Sequence, residues 1–310
     1  MNRIAIVYQE KRGPWGGGNQ FLKGLKNELR SMGRLAKSLA SADAVVVNSH
    51  HVPGSFIGRL QSLAPSRVPI VIHRVDGPLT FTRSSQSGLA LDEYIFSFNR
   101  RFANATVFQS QWSLKQSKAL GLRWVEPVRV ISNAPDPKYF FPRQSPRRDS
   151  LVRVVASSWS MNPKKGFDYY SYLDLHLDPD KFHFSFVGRS PIDFEKASKI
   201  VPLGSAELGA FLRTQDVYVT ASAEDPCSNS LIEAVHCGLE PVVLRSGGHP
   251  ELVPHKDRQF VSPDEMLSII MALSTDSLSF EKRRKLPDIK EIASSYCALA
   301  DDLIHSRKAR

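Results

Sequence analysis

Asp225 and Glu233 stand eight positions apart, on either side of the polar segment Cys227-Ser228-Asn229-Ser230. Leu231, Ala234 and Val235 recur at helical spacing after that segment, so a helix is expected from Ser228 or Ser230 to Cys237, with Gly238 placed to stop it. Pro241 then leads into the buried strand Val242-Val243-Leu244. A helix that starts after a polar loop has unpaired N–H groups and a partial positive charge at its N-terminus, which suits Ser228, Asn229 and Ser230 to receive a phosphate. Asp225 precedes that end and Glu233 lies in its first turns. A second reading competes: Ser230-Leu-Ile-Glu233 also fits the Ser-x-x-Glu capping box, in which the glutamate serves only the backbone.

Three further groups carry polar chemistry. The run Pro69 to His73 reads as a buried strand ending in His73-Arg74-Val75-Asp76-Gly77-Pro78, which places three polar side chains at the carboxyl edge of a parallel sheet, where open α/β folds bind ligands. Arg74 can alternatively pair with Asp76 for support. Gly13 to Gly18 forms a glycine-rich turn after a first strand, Arg3 to Tyr8; it lets a backbone approach a ligand closely but lacks the P-loop lysine and the GxGxxG spacing. Lys164-Lys165-Gly166 follows the strand Val152 to Ala156, and on its own reads as a solvated pair.

Strands alternate with helical patterns along the chain, predicting a doubly wound α/β protein. Further strands are expected at Ala44–Asn48, 106–109, 128–131, 183–187 and Val217–Thr220, and helices at 93–102, 113–120, 167–175, 266–273 and 289–304. Pro135 to Ser150, with four prolines and no apolar period, reads as a linker. With 310 residues, 42% hydrophobic, the chain is long enough for two cores. Its net charge of +10 favours anionic partners: nucleotide sugars, anionic glycans or a phospholipid surface. The basic residues do not interleave with aromatics, so nucleic acid is not expected. Cys227, Cys237 and Cys297 have no metal-binding spacing and fit a reducing compartment. The run MNRIAIVYQEK is too short in apolar residues for a signal peptide, and a cytoplasmic location is expected, with peripheral contact at the inner face of a membrane left open.

The stretch Asp225-x7-Glu233, Ala234, Gly238 and Pro241-Val242-Val243 resembles the donor-binding signature of glycosyltransferase family 4. It departs in carrying Asp for the first acid and an added Glu240. The resemblance implies two Rossmann-like doubly wound domains facing across a cleft: an acceptor-side domain over 1–140, a donor domain over 141–277, and a helical segment, 278–310, returning to the first domain. The stretch from Met32 to Ala44 is short for a strand and crossover, so the first domain reads as trimmed. Implied activity is retaining transfer of a sugar from a nucleotide-diphosphate sugar to a glycan, lipid-linked or other hydroxyl acceptor, without cofactor or metal. Implied roles are Glu233 on the ribose, Asp225 on sugar hydroxyls, Lys165 with Gly166 on the diphosphate, Gly17 and Gly18 near the donor, and His73 on the sugar, with Arg74 and Asp76 beside it. The family's second phosphate cation is replaced by Trp159, leaving Arg189 or Lys164 to substitute. Two rival readings remain: a nucleotide-sugar epimerase of the same architecture, and a non-catalytic protein that binds anionic partners.

Overall fold

A computed structural model describes residues 1–8, 17–82, 86–144, 151–273 and 285–309. They form two compact units. One comprises residues 18–133 with both chain ends, 1–8 and 287–309; the other comprises the described part of 134–286 together with Gly17.

The first unit contains strands β1 (Ile4–Val7), β2 (Ala44–Asn48), β3 (Ile70–Arg74), β4 (Ala105–Phe108) and β5 (Val128–Val130) in that spatial order, each neighbouring pair parallel. Its helices are α1 (Gly17–Ser31), α2 (Gly54–Gln61), α3 (Leu79–Thr82), α4 (Gln86–Phe102) and α5 (Gln111–Ala119). Every residue of β2 and β3 is buried, as parallel strands covered on both faces require. On one face Val45, Val47 and Val71 pack with Phe56 and Leu60 of α2 and Phe98 of α4. On the other, the Arg74 guanidinium lies 4.9 Å from the ring of Phe21 in α1. Among the described residues, the sheet continues beyond β1 only as a single parallel bridge, Ile4 to Leu35. The short connection from Met32 to Ala44 cannot supply a whole strand and crossover, so the winding on that side stops after one residue.

In the second unit follow β6 (Val152–Ser158), α6 (Phe167–His176), β7 (Phe182–Gly188), β8 (Ser198–Ile200), α7 (Ser205–Leu212), β9 (Val217–Thr220), α8 (Asn229–His236), β10 (Glu240–Leu244), α9 (His249–Leu252), β11 (Gln259–Phe260) and α10 (Pro263–Met271). The parallel sheet runs β11-β10-β9-β6-β7-β8. Phe167, Tyr170 and Leu173 of α6 with Met266 and Ile270 of α10 cover one face. Leu212 of α7 and Leu231, Ala234 and Val235 of α8 cover the other. Chain direction across the sheet reverses between β6 and β9, so the loops leaving their carboxyl ends meet at the topological switch point.

The prolines at 135–142 do not mark a free linker among the described residues. Phe140 is buried in the second unit's core, the Tyr139 carbonyl accepts from Arg213 at 2.9 Å, and Arg143 pairs with Asp216 at 2.9 Å. The rest of that stretch, 145–150, lies outside the described residues, as do Gly13–Gly16 and 282–284 of the basic run. The last helix, α11 (Ile289–Lys308), is capped by Asp288 and Glu291 and belongs to the first unit. There Asp301 accepts from Asn2 at 2.8 Å and Arg34 at 2.7 Å.

Candidate active site

The loops at the switch point carry the charged residues. After β6, the Asn162 side chain accepts from the Lys164 N–H and Gly166 takes a left-handed φ of 75°, which turns the chain sharply into α6. A Cβ on Gly166 would stand 2.4 Å from the Ala221 carbonyl oxygen, so only glycine lets this loop lie against the end of β9. The Ala223 N–H donates to the Lys164 carbonyl at 2.7 Å, tying the two loops together. In this setting the Lys165 ammonium donates to Ser222 Oγ at 2.9 Å and Asp225 Oδ2 at 3.2 Å. Lys164 instead pairs with Glu224.

Asp225 is fixed from several sides. Its Oδ1 accepts the Cys227 N–H at 3.2 Å, and its carbonyl accepts the Gly248 N–H at 2.8 Å. Gly247, at φ 61°, passes so close that an added Cβ would meet the Asp225 carbonyl oxygen at 2.3 Å. Burial alone would raise the Asp225 pKa; the Lys165 ammonium and then His249 outweigh it and hold the carboxyl below its ordinary value. His249 is fully buried, which lowers its pKa. Its Nδ1 donates to the Leu244 carbonyl at 3.1 Å, and its Nε2 is buried without a hydrogen-bond partner among the described residues.

Glu233 differs from Asp225. The helix begins two residues earlier than a Ser230 cap requires, with Ser228 at the N-cap making no side-chain cap bond, and Glu233 sits in the second turn. The capping-box reading therefore fails. Burial pushes the Glu233 carboxyl up to about 8, with no cation or hydrogen bond among the described residues opposing it. Near it the Tyr218 hydroxyl, itself pushed above its ordinary value by burial, bonds Ser157 Oγ at 2.9 Å. Ser228 Oγ and Ser230 Oγ lie 3.3 Å apart at the uncapped helix start, and Asn229 opens the helix between them.

The exposed Arg189, just beyond β7, stacks on Trp159, its guanidinium 4.6 Å from the ring centroid. Gly17 and Gly18 open α1. In the first unit His73 is fully buried: its Nε2 donates to the Ser49 carbonyl at 3.1 Å, its Nδ1 accepts from Asn99 at 3.2 Å, and its ring packs edge-on to Phe98. Burial lowers its pKa to about 4, the value of a neutral structural imidazole. Arg74 is also fully buried, and donates to Asn48, to Asp76 at 3.2 Å and to Asn133 at 2.7 Å. Support of Asp76, the plainer of its two readings, is what this geometry describes. The structure adds Ser222, Tyr218, Gly247 and His249 to the residues assigned roles from the sequence. The Gly-Gly pair before His249 was the available signal, since consecutive glycines permit the close pass beneath Asp225.

The two parallel α/β units are Rossmann-like, as in the glycosyltransferase B fold. Residues 154–276 match the family model described as "Glycosyl transferases group 1". Over 144 residues the chain is 31% identical to one subunit of the human phosphatidylinositol N-acetylglucosaminyltransferase, a match covering 42% of this chain and 29% of that protein. Among solved structures, a sucrose-phosphate synthase from Thermosynechococcus elongatus aligns with a TM-score of 0.72 at 12% identity, over 99% of this chain and 100% of that one. HepE of Anabaena, solved with UDP-glucose, aligns with a TM-score of 0.65 at 14% identity over the whole of both chains. The match to the group 1 glycosyltransferase model thus falls on the second unit. Among the described residues, no helix is long and apolar enough to cross a membrane.

Proposed function

We propose that the chain is a retaining glycosyltransferase of family 4 type, moving a sugar from a nucleotide-diphosphate sugar to a glycan, lipid-linked or other hydroxyl acceptor. The observation that carries this reading is Glu233: a carboxyl desolvated to a pKa of about 8, spent on no cap and no cation, in the second turn of an uncapped helix. Such a group is costly to keep and is repaid by ligand hydroxyls that hydrogen-bond its ionised form. We assign it to the ribose. Lys165, oriented by Ser222 and Asp225, and the first N–H groups of α8 face the diphosphate, where negative charge grows as the glycosidic bond to phosphate breaks. Asp225 takes sugar hydroxyls through the lone pairs that Lys165 and Cys227 leave. Arg189 stands in for the second phosphate cation. With cations of the chain itself meeting the leaving charge, neither metal nor cofactor is invoked, and the departing phosphate oxygen can accept the acceptor's proton. His73 and Arg74 are left out of the sugar contacts, because both are buried and engaged.

The neighbour solved with UDP-glucose and the group 1 domain support this reading. Incubating the purified chain with UDP-, GDP-, ADP- and TDP-sugars and following release of free nucleoside diphosphate tests it. One donor should be hydrolysed slowly, and faster with a productive acceptor, and Lys165→Ala should abolish both. Conversion of the donor to a sugar isomer in the absence of acceptor, or salt-sensitive binding of polyanions with no response to any donor, would overturn it.

A further inference from the structure

We propose that His50, His51 and Asp76 form a binding site for one divalent transition-metal ion of the zinc class at the carboxyl edge of the first unit's sheet. The site uses none of the residues that the proposed function assigns to the donor and stands whether or not that assignment does. One ligand atom from each of the three residues lies within 4.8 Å of the others. Ligands held at zinc distances of about 2.0–2.1 Å in a tetrahedron stand roughly 3.4 Å apart. The exposed His51 ring can close that difference by side-chain rotation. Two imidazoles and one carboxylate suit zinc, copper, nickel or iron(II), not magnesium or calcium, which prefer oxygen alone.

The surroundings hold these three groups in place. β2 ends at Asn48, and Ser49 takes a left-handed φ of 46°, unusual for a residue with a Cβ. That turn is fixed from every side: Ser49 N–H donates to the Arg74 carbonyl at 2.7 Å, the Ser49 carbonyl accepts from buried His73, and the His51 N–H donates to the Asn48 carbonyl at 3.0 Å. Its effect is to set two consecutive histidines side by side, ring centroids 4.0 Å apart, instead of on opposite faces as in a strand. Asp76 reaches the same edge from the end of β3. Its Oδ1 accepts from Arg74 at 3.2 Å and Gln109 at 2.8 Å, which leaves Oδ2 for an ion. Metal-binding carboxylates are oriented by such outer hydrogen bonds. The Arg74 charge weakens the site but does not occupy it. Three protein ligands leave at least one position open to water or to an oxygen of a bound molecule, the pattern of a reactive site.

The test uses the full chain, free of any histidine tag and stripped with a chelator, titrated with Zn2+ against a chromophoric competitor and with Co2+ by visible absorption. Wild type should take up one ion per chain and give ligand-field bands with Co2+. His51→Ala, at an exposed side chain, should weaken binding tenfold or more, in the range for loss of a ligand or its support. Asp76→Asn should act likewise, and if it fails to fold, His51→Ala decides alone. His255→Ala, an exposed histidine elsewhere, should bind as wild type does. Absence of binding at one ion per chain, or equal affinity in wild type and His51→Ala, would overturn the proposal.

Discussion

Replacing Glu233 by Gln keeps its shape and removes its charge, so the pH dependence of the effect isolates the cost of that charge. The carboxyl ionises near 4.5 in the unfolded chain and near 8 in the folded one. Below pH 4.5 it is protonated in both states and contributes nothing. Between the two values the unfolded chain has released its proton and the folded one has not, so stability falls as pH rises; above 8 the cost is constant. A shift from 4.5 to 8 corresponds to about 5 kcal/mol at full strength. Glu233 keeps partial exposure, which screens the charge and brings the cost to about 1–3 kcal/mol. For a unit of this size each kcal/mol moves Tm by about 2–4 °C. Thermal unfolding of wild type and Glu233→Gln from pH 5 to 9 should show no gap at pH 5 and a variant several degrees more stable at pH 8.5. A gap that does not vary with pH, or a variant less stable at high pH, would refute the reasoning and return Glu233 to a backbone-bonding role. Donor should reverse the order, since its hydroxyls favour the ionised carboxylate: its stabilising effect should grow with pH up to about 8 in wild type and be lost in the variant.

Lys165→Ala should weaken nucleoside diphosphates tenfold or more while changing nucleoside affinity little, as measured by calorimetry with both ligands. Gly247→Ala forces a Cβ onto the Asp225 carbonyl at 2.3 Å in a left-handed conformation; a loss of more than about 1 kcal/mol in thermal stability, with loss of donor binding, is expected. Trp159→Ala removes the ring beneath Arg189, worth about 0.5–1 kcal/mol at an exposed site, so diphosphate affinity should fall about two- to fivefold, with no further fall in a Trp159→Ala/Arg189→Ala double variant beyond that of Arg189→Ala. Gly58→Ala, in α2 with open space around it, should stabilise the chain by up to about 1 kcal/mol in chemical denaturation.

The strands were legible because parallel strands buried on both faces are written as short apolar runs: Ala44–Asn48 and Val217–Thr220 fall where their composition places them. The trimmed edge was legible too, because about twelve residues cannot hold a strand and a crossover. Pairings across the chain were not. Whether Glu233 caps its helix turns on a small shift of the helix start, from Ser230 to Ser228, which no local pattern settles. His73, placed at a strand end by the sequence, proved inaccessible because Asn99 and Ser49 come from elsewhere in the fold to occupy both its nitrogens. Arg74 likewise looked like a ligand group until Asn48 and Asn133 closed around it. The burial of His249 was not legible for the converse reason: only the return of the chain beneath Asp225 encloses its ring.

The most direct test of the account is equilibrium binding of UDP-, GDP-, ADP- and TDP-sugars to the purified chain by calorimetry at pH 8, with Glu233→Ala and Lys165→Ala in parallel. Saturable binding of one donor by wild type, weakened in both variants while their folds persist, is predicted. No binding of any donor at millimolar concentration, or a donor bound equally by all three proteins, would contradict it.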